Sequence, residues 1–126
     1  MLATVAAEME TGHGELVRIG DLEIRAGEGL VLASGRALTL SVREFDLLVA
    51  LARNAGRIVS REELYRLTWG GTLRRGDRSC DVYVHKLRTK LEDALPGMRF
   101  IHTHVGFGYR LDPTPSHSFH TASTGR

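Results

Sequence analysis

Short runs of alternating apolar and polar residues occupy positions 16–39 of the chain. Glycine-containing turns at residues 20–21, 26–29 and 34–36 separate these runs. Alternation with a period of two places successive side chains on opposite faces of a strand, and short glycine turns join antiparallel neighbours. The pattern therefore predicts a small antiparallel sheet of about four strands, over residues 16–19, 22–24, 30–32 and 37–38.

The apolar spacing changes to a helical period after residue 40. Ser41 and Glu44 have the S-x-x-E arrangement of a capping box, in which two side chains satisfy backbone amides of the first helical turn. The predicted first helix ends at an Asn-Ala-Gly stop signal. A second box, Ser60 and Glu63, opens a short helix that runs to Trp69.

A third helix is predicted over about residues 78–93, with Asp77 as its N-cap. Its apolar residues recur on one face, as expected for a stripe that packs into the core; they are Cys80, Val84, Leu87 and Leu91. The opposite face carries mainly cations and small groups, namely Arg78, Val82, His85, Lys86 and Thr89. A merely solvated face would carry mixed charge, so this pattern favours a helix that enters a DNA major groove.

A hairpin is predicted over residues 100–111, after the Pro-Gly pair at 96–97. Residues 1–15 show no clear periodicity and are interpreted as a flexible leader. Residues 113–126 are rich in Ser, Thr and His and contain two prolines, so they are predicted to be a disordered tail. The predicted domain is therefore residues 16–112.

Composition narrows the class of protein. A chain of 126 residues makes one small domain with a modest core. It contains no run of about 18 apolar residues and no basic start followed by an apolar segment, so we expect neither a membrane span nor a signal peptide. A single cysteine cannot form an internal disulfide, which favours the cytoplasm.

Positive charge is concentrated in the second half of the chain. Residues 1–60 hold six arginines against eight acids, whereas residues 61–126 hold eleven Lys or Arg against seven acids. Six of those cations lie within residues 74–90. A polyanion would therefore meet the second half, although a net charge of +2 carries weight only together with the pattern of the third helix.

The order of helix, short helix, loop, helix and hairpin is that of a winged helix-turn-helix. Residues 16–111 resemble more specifically the DNA-binding effector domain of OmpR/PhoB-type two-component response regulators. The resemblance rests on segments in the family's order and spacing: LSVREFDLL at 40–48, GRIVSREEL at 56–64, WG at 69–70, DRSCDVYVHKLRTKL at 77–91 and GFGYRL at 106–111.

The resemblance implies an α+β winged helix-turn-helix with a four-stranded antiparallel sheet, three helices and a C-terminal β-hairpin wing. It implies a bacterial transcription regulator that binds double-stranded DNA, with the third helix in the major groove and the wing on the adjacent backbone or minor groove. Two copies are expected head-to-tail on adjacent half-sites. The implied DNA-contacting residues are Arg78, Ser79, Val82, His85, Lys86, Arg88, Thr103 and Tyr109, and the implied RNA polymerase contacts are Glu62, Trp69 and Gly70.

Three departures from the family pattern change the expectation. Val105 stands where the family wing usually carries an arginine able to enter the minor groove. His85 replaces a common arginine, so a bidentate contact to guanine is lost there. No receiver module with a phospho-accepting aspartate precedes Leu16, so we expect a stand-alone domain that is not switched by its own phosphorylation. DNA binding weaker or more partner-dependent than in full-length relatives is the resulting hypothesis.

Other candidate chemistry has less support. Cys80 fits a core position better than a redox switch. His102 and His104 share one strand face and His117 and His120 lie in the tail, yet no metal-ligand spacing with cysteine or carboxylate accompanies them. We therefore expect no metal, no cofactor, no catalytic residue and no enzyme activity.

Several residues keep two interpretations. Trp69 is interpreted either as a packing residue at a helix end or as a contact to polymerase. Arg74 and Arg75 are interpreted either as phosphate contacts or as solvent-exposed loop residues without a ligand. His85 makes DNA binding sensitive to pH or is an exposed bystander. The alternative function is a winged-helix protein-interaction module with little DNA specificity, whose working surface would include Glu62, Trp69 and Arg74.

Overall fold

The first third of the chain forms an antiparallel sheet of five strands. The computed structural model describes residues 7–10, by their backbone, and residues 15–116. The four predicted strands are present, and the sheet that they form is confirmed. Neighbours in the chain are neighbours in the sheet, in the order β1 (Ala7–Glu10), β2 (Leu16–Ile19), β3 (Leu22–Arg25), β4 (Leu30–Ala33) and β5 (Arg36–Ala37).

Strand β1 lies inside the segment predicted to be a flexible leader. Its backbone pairs antiparallel with β2, with Ala7 opposite Ile19 and Glu10 opposite Leu16. An edge strand bonds to one neighbour only, and four residues are too few to show a reliable period. Residues 1–6 and 11–14 of the predicted leader, and residues 117–126 of the predicted tail, lie outside the described residues.

Three helices follow the sheet: α1 (Val42–Arg53), α2 (Arg61–Thr68) and α3 (Ser79–Ala94). The capping box of α1 is complete, because Ser41 Oγ accepts from the Glu44 N–H at 3.2 Å and Glu44 Oε1 accepts from the Ser41 N–H at 2.8 Å. In α2 only half of the predicted box forms. Ser60 Oγ accepts from the Glu63 N–H at 3.0 Å, whereas the Glu63 carboxylate pairs with Arg66.

A second sheet completes the fold, with strands β6 (Ile58–Val59), β7 (Met98–His104) and β8 (Gly108–Pro115) in the order β6-β8-β7. The β7–β8 pair is the predicted hairpin. Sequence patterns did not predict β6, because two residues show no period. Strand β8 also continues past the predicted domain end at residue 112, since Arg99 and Met98 of β7 pair with Thr114 and Pro115. Residues 113–115 therefore belong to the wing sheet rather than to a tail.

The core lies where both sheets meet the helices. Helix α1 contributes an uninterrupted buried stretch over residues 47–52, and α3 packs on α1 and β7. The predicted stripe of α3 faces inward, and its four residues, Cys80, Val84, Leu87 and Leu91, are buried. Within the described residues, no helix is long and apolar enough to cross a membrane.

Candidate nucleic-acid interface

The outward face of α3 carries the residues that the sequence singles out. The Arg78 side chain, immediately before the helix, is 77% exposed, and Val82 is 47% exposed. His85 and Lys86 are exposed further along the same face. The acid beside them, Asp81, lies 3.9 Å from Arg78 Nε and accepts hydrogen bonds from Arg61 and Tyr109. The face therefore offers cations and one apolar contact to a ligand.

Asp77 organises the first turn of α3. Its Oδ1 accepts from the Ser79 N–H at 2.9 Å and from the Ser79 hydroxyl. The N-cap position itself is held by Arg78, whose side chain makes no capping bond, so the cap lies one residue after the predicted Asp77. The bonds from the Ser79 hydroxyl and N–H hold the pKa of Asp77 below its ordinary value.

A single carboxylate joins α2, α3 and the wing. Asp81 accepts from the Arg61 guanidinium at 3.1 and 3.2 Å and from the Tyr109 hydroxyl. Burial by itself would raise the pKa of Asp81, but the hydrogen bonds from Tyr109 and Arg61 and the Arg61 charge hold that pKa below its ordinary value. Burial and Asp81 raise the pKa of Tyr109 to about 12, so its hydroxyl remains a proton donor near neutral pH.

Arg88 and Thr103, both predicted to contact DNA, bond to each other at the junction of α3 and the wing. Arg88 Nη2 donates to Thr103 Oγ1 at 2.6 Å, and Arg88 Nε donates to the Ile101 carbonyl oxygen at 3.3 Å. A guanidinium has five donors, so these two bonds do not exhaust it. The pair therefore attaches β7 to the middle of α3 and retains capacity to bind an anion.

The wing is held against the body of the domain at its base. Strand β8 begins at Gly108, which has φ +141°, and a Cβ there would lie 2.1 Å from the Val59 carbonyl oxygen. Because real Cβ contacts are never this short, only glycine permits β8 to run so close to β6. Tyr109, the next residue, is buried and bonds to Asp81. The family resemblance implied that Tyr109 contacts the DNA backbone, whereas its hydroxyl is already used inside the domain.

The three candidate polymerase contacts do not form one exposed patch. Glu62 is exposed in the first turn of α2, whereas Trp69 is at the opposite end and half-buried. The Trp69 ring stacks on Tyr65 with centroids 5.0 Å apart and meets the edge of Tyr83 at 5.7 Å. This packing favours the structural interpretation of Trp69. Gly70 follows it, exposed and with φ +79°.

The remaining candidate groups are engaged in the fold. Burial raises the pKa of the Cys80 thiol to about 11, which keeps it protonated and unreactive. His102 Nε2 lies 2.8 Å from the Asp112 carbonyl oxygen, and His104 Nε2 accepts from Arg110 Nε at 3.1 Å. In the part of the chain that is described, no group of three His, Cys, Asp or Glu side chains could hold a metal ion. His117 and His120 lie outside that part.

Comparison with known proteins identifies the family. The sequence profile of the family described as "Transcriptional regulatory protein, C terminal" matches residues 35–111. The chain belongs to this family. The expected resemblance to OmpR/PhoB-type domains and the winged-helix fold class are therefore confirmed. Its relatives are regulators of transcription and not enzymes, in agreement with the prediction.

Individual relatives and solved structures agree with this assignment. The DNA-binding response regulator MtrA of Mycolicibacterium smegmatis is 34% identical over 116 residues, which are 90% of this chain and 51% of MtrA. This chain thus spans about half the length of the regulators that it matches. The RstA DNA-binding domain of Klebsiella pneumoniae, solved in complex with the RstA box, has a TM-score of 0.70 and 34% identity over 77% of this chain and 96% of that one. The CpxR DNA-binding domain of E. coli has a TM-score of 0.71 and 32% identity over 77% and 95%.

Sequence reasoning missed the role of Arg61 and the internal use of Tyr109. Arg61 lies 20 positions before Asp81, and Tyr109 lies 28 positions after it. No local spacing rule connects residues so far apart. One local signal pointed to the role of Arg61. The helix dipole does not favour a cation in the first turn of a helix, so an arginine there indicates a partner elsewhere in the fold.

Proposed function

We propose that this chain binds specific sequences of double-stranded DNA and regulates transcription in the bacterial cytoplasm. Helix α3 enters the major groove, and the wing lies on the adjacent backbone or minor groove. The observation that carries the proposal is the outward face of α3, on which Arg78, His85 and Lys86 are exposed around Val82. The charge of Asp81, the acid on this side, is neutralised by Arg61 and Arg78. Such a face combines phosphate attraction with groups that contact base edges.

The side chains divide by chemistry into two roles. Arg78 and the first turn of α3 at Ser79 bind phosphate, as do Arg88 and Thr103 at the wing junction. Val82 contacts a thymine methyl, and His85 and Lys86 donate to purine edges or phosphates. Since the Tyr109 hydroxyl donates its hydrogen bond to Asp81, the role assigned to Tyr109 is to hold the wing beside α3.

Two copies bind side by side, head-to-tail, on adjacent half-sites. A single winged-helix module buries only a small interface with DNA, so one copy alone provides limited affinity and specificity. A direct repeat in the preferred DNA sequence is the expected signature of this arrangement.

The deciding experiment selects bound sequences from random duplex DNA with the full chain at several salt concentrations. An enriched motif, in particular a direct repeat, supports the proposal. If DNA is recovered without a common motif and its binding depends steeply on salt, the chain is attracted to phosphate irrespective of sequence. That result would refute sequence-specific binding.

The second candidate function is a contact to RNA polymerase or another protein, for which the exposed residues are Glu62 in the first turn of α2 and Gly70 just after its end. Failure to recover any DNA would exclude the DNA-binding proposal and favour this one. A pull-down of purified RNA polymerase with wild-type chain and with the Glu62→Ala variant then tests the surface directly.

A further inference from the structure

The tip of the wing exposes two large apolar side chains that the fold does not use. Val105 is 88% exposed and Phe107 is 73% exposed. Both lie in the turn between β7 and β8, and neither belongs to the buried core. An apolar pair at the end of a projecting hairpin is a typical feature of a contact surface rather than of a solvated turn.

The position of this tip relative to α3 is held by the rest of the domain. The Phe107 N–H donates to the His104 carbonyl oxygen at 2.8 Å, which closes the turn. At the base of the wing, Gly108 lies against Val59, and Tyr109 bonds to Asp81 of α3. The tip is therefore presented in a fixed place, and little conformational entropy is lost when it meets a partner.

The tip and the start of α3 face one another across a groove of about 510 Å³. Val105, Phe107 and Thr103 line it on the wing side. On the helix side it is lined by Arg78 and Arg61 together with two acids, Glu62 and Asp81, and Asp81 is already paired with both arginines. The apolar tip is thus continuous with the cationic surface assigned to DNA. A phosphate backbone that passes Arg78 brings its sugars next to the tip.

We propose that Val105 and Phe107 pack against the deoxyribose walls of the minor groove adjacent to the major groove that α3 occupies. This inference rests on the proposed DNA-binding function and extends it. Proteins that bind the minor groove commonly place apolar side chains in it, in many cases as wedges between base steps. A short wing tip that does not reach the bases meets the deoxyribose rings instead, which are the apolar surface along the groove walls. Displacing water from a ring and a sugar releases no condensed counterions, so the contact contributes affinity that does not depend on salt.

An apolar wing tip also differs from a cationic one in how it depends on DNA sequence. A cation inserted into the minor groove favours narrow A·T-rich segments, where the negative potential is enhanced. The tip of this wing carries Val105 and Phe107 rather than a cation and so lacks that preference. The wing therefore contributes affinity at many sequences, and the choice of sequence depends on α3.

The test measures the dissociation constant of the full chain for its selected DNA at several salt concentrations. The Phe107→Ser variant is expected to bind about fivefold to twentyfold more weakly with an unchanged salt slope. Val42→Ser is the matched control, since Val42 is 75% exposed but lies on α1 away from the groove. Val105→Arg is expected to steepen the slope by about 0.9 and to enrich A·T pairs beside the site.

The outcomes separate the two proposals. If the wild-type chain binds no DNA, the proposed function and the wing contact both fail. If the wild-type chain binds DNA and Phe107→Ser binds equally well, only the wing contact is overturned, and the exposed tip serves a protein partner instead. Weaker binding by Phe107→Ser with an altered salt slope would also overturn the wing contact. The substitution would then have changed the number of ionic contacts to phosphate rather than an apolar contact.

Discussion

The hydroxyl of Tyr109 in the wing donates a hydrogen bond to the carboxylate of Asp81 on helix α3. The same carboxylate accepts from Arg61 of α2, so two helices and the hairpin share one acceptor. Asp81 lies among the cations of the outward face, and its negative charge is paired with Arg61 and, at 3.9 Å, with Arg78. The geometry of the interface and its electrostatics thus depend on the same contact.

Replacing Tyr109 by phenylalanine is expected to lower the free energy of unfolding by about 1–2 kcal/mol, because a bond to a charged acceptor is lost while Arg61 remains. Urea denaturation measures the change. Tyr83→Phe is the matched control, since the Tyr83 ring packs on Trp69 without needing its hydroxyl. Equal stability of Tyr109→Phe and wild type would show that the bond contributes nothing.

Gly108→Ala is expected to destabilise the domain by more than about 2 kcal/mol, because the new Cβ would lie 2.1 Å from the Val59 carbonyl oxygen. Gly106→Ala provides the control. Gly106 has φ +84° but nothing within 4 Å of the added Cβ, so only backbone strain of about 1 kcal/mol is expected there. Thermal unfolding monitored by circular dichroism compares the two, and a larger loss for Gly106→Ala would contradict the close approach of β8 to β6.

Stability is expected to fall in acid in part through Glu44. Burial alone would raise the pKa of this carboxyl, but bonds from Lys90 Nζ at 2.7 Å and from the Ser41 N–H, with the Lys90 charge, hold it below its ordinary value of 4.5. A pKa lowered by folding means that the carboxylate stabilises the domain above pH 4.5, and that this contribution is lost as the pH falls through the lower folded pKa.

The Glu44→Gln variant should accordingly show a shallower loss of unfolding free energy than wild type when urea denaturation is repeated below pH 4.5. Asp93→Asn, which changes an exposed carboxylate of α3, is the comparison variant. Identical pH profiles for Glu44→Gln and wild type would mean that the buried carboxyl titrates as it does in the unfolded chain.

Substitutions on the outward face of α3 are expected to separate attraction from selectivity. Arg78→Ala and Lys86→Ala should each cost more than about 1 kcal/mol of DNA-binding free energy and flatten the salt slope. Val82→Ala should change the preferred sequence and leave the salt slope unchanged. Fluorescence anisotropy with labelled duplexes measures both properties. Arg36→Ala, at an exposed position on β5, is the control. If all three α3 variants bind DNA as the wild type does, this face is not the DNA-binding surface.

Local signals were enough to predict most elements and one side of the site. The Ser41–Glu44 box begins α1 where the sequence indicates, because its partners are three residues apart in any conformation. The stripe that begins at Cys80 is buried as its spacing predicts, and the opposite face of α3 is exposed for the same geometric reason. The wing hairpin followed from its turn and its flanking apolar runs.

The sequence by itself determined where α1 and α2 begin, which face of α3 is apolar and where cations collect, since these properties depend on residues within a few positions of one another. Tertiary structure alone decided that β6 joins the wing sheet, that Arg61 and Tyr109 meet at Asp81, and that Val105 and Phe107 line one groove with Arg78. Those contacts join residues far apart in the chain. They form only when the packed core brings distant segments together, so no periodicity in a single sequence encodes them.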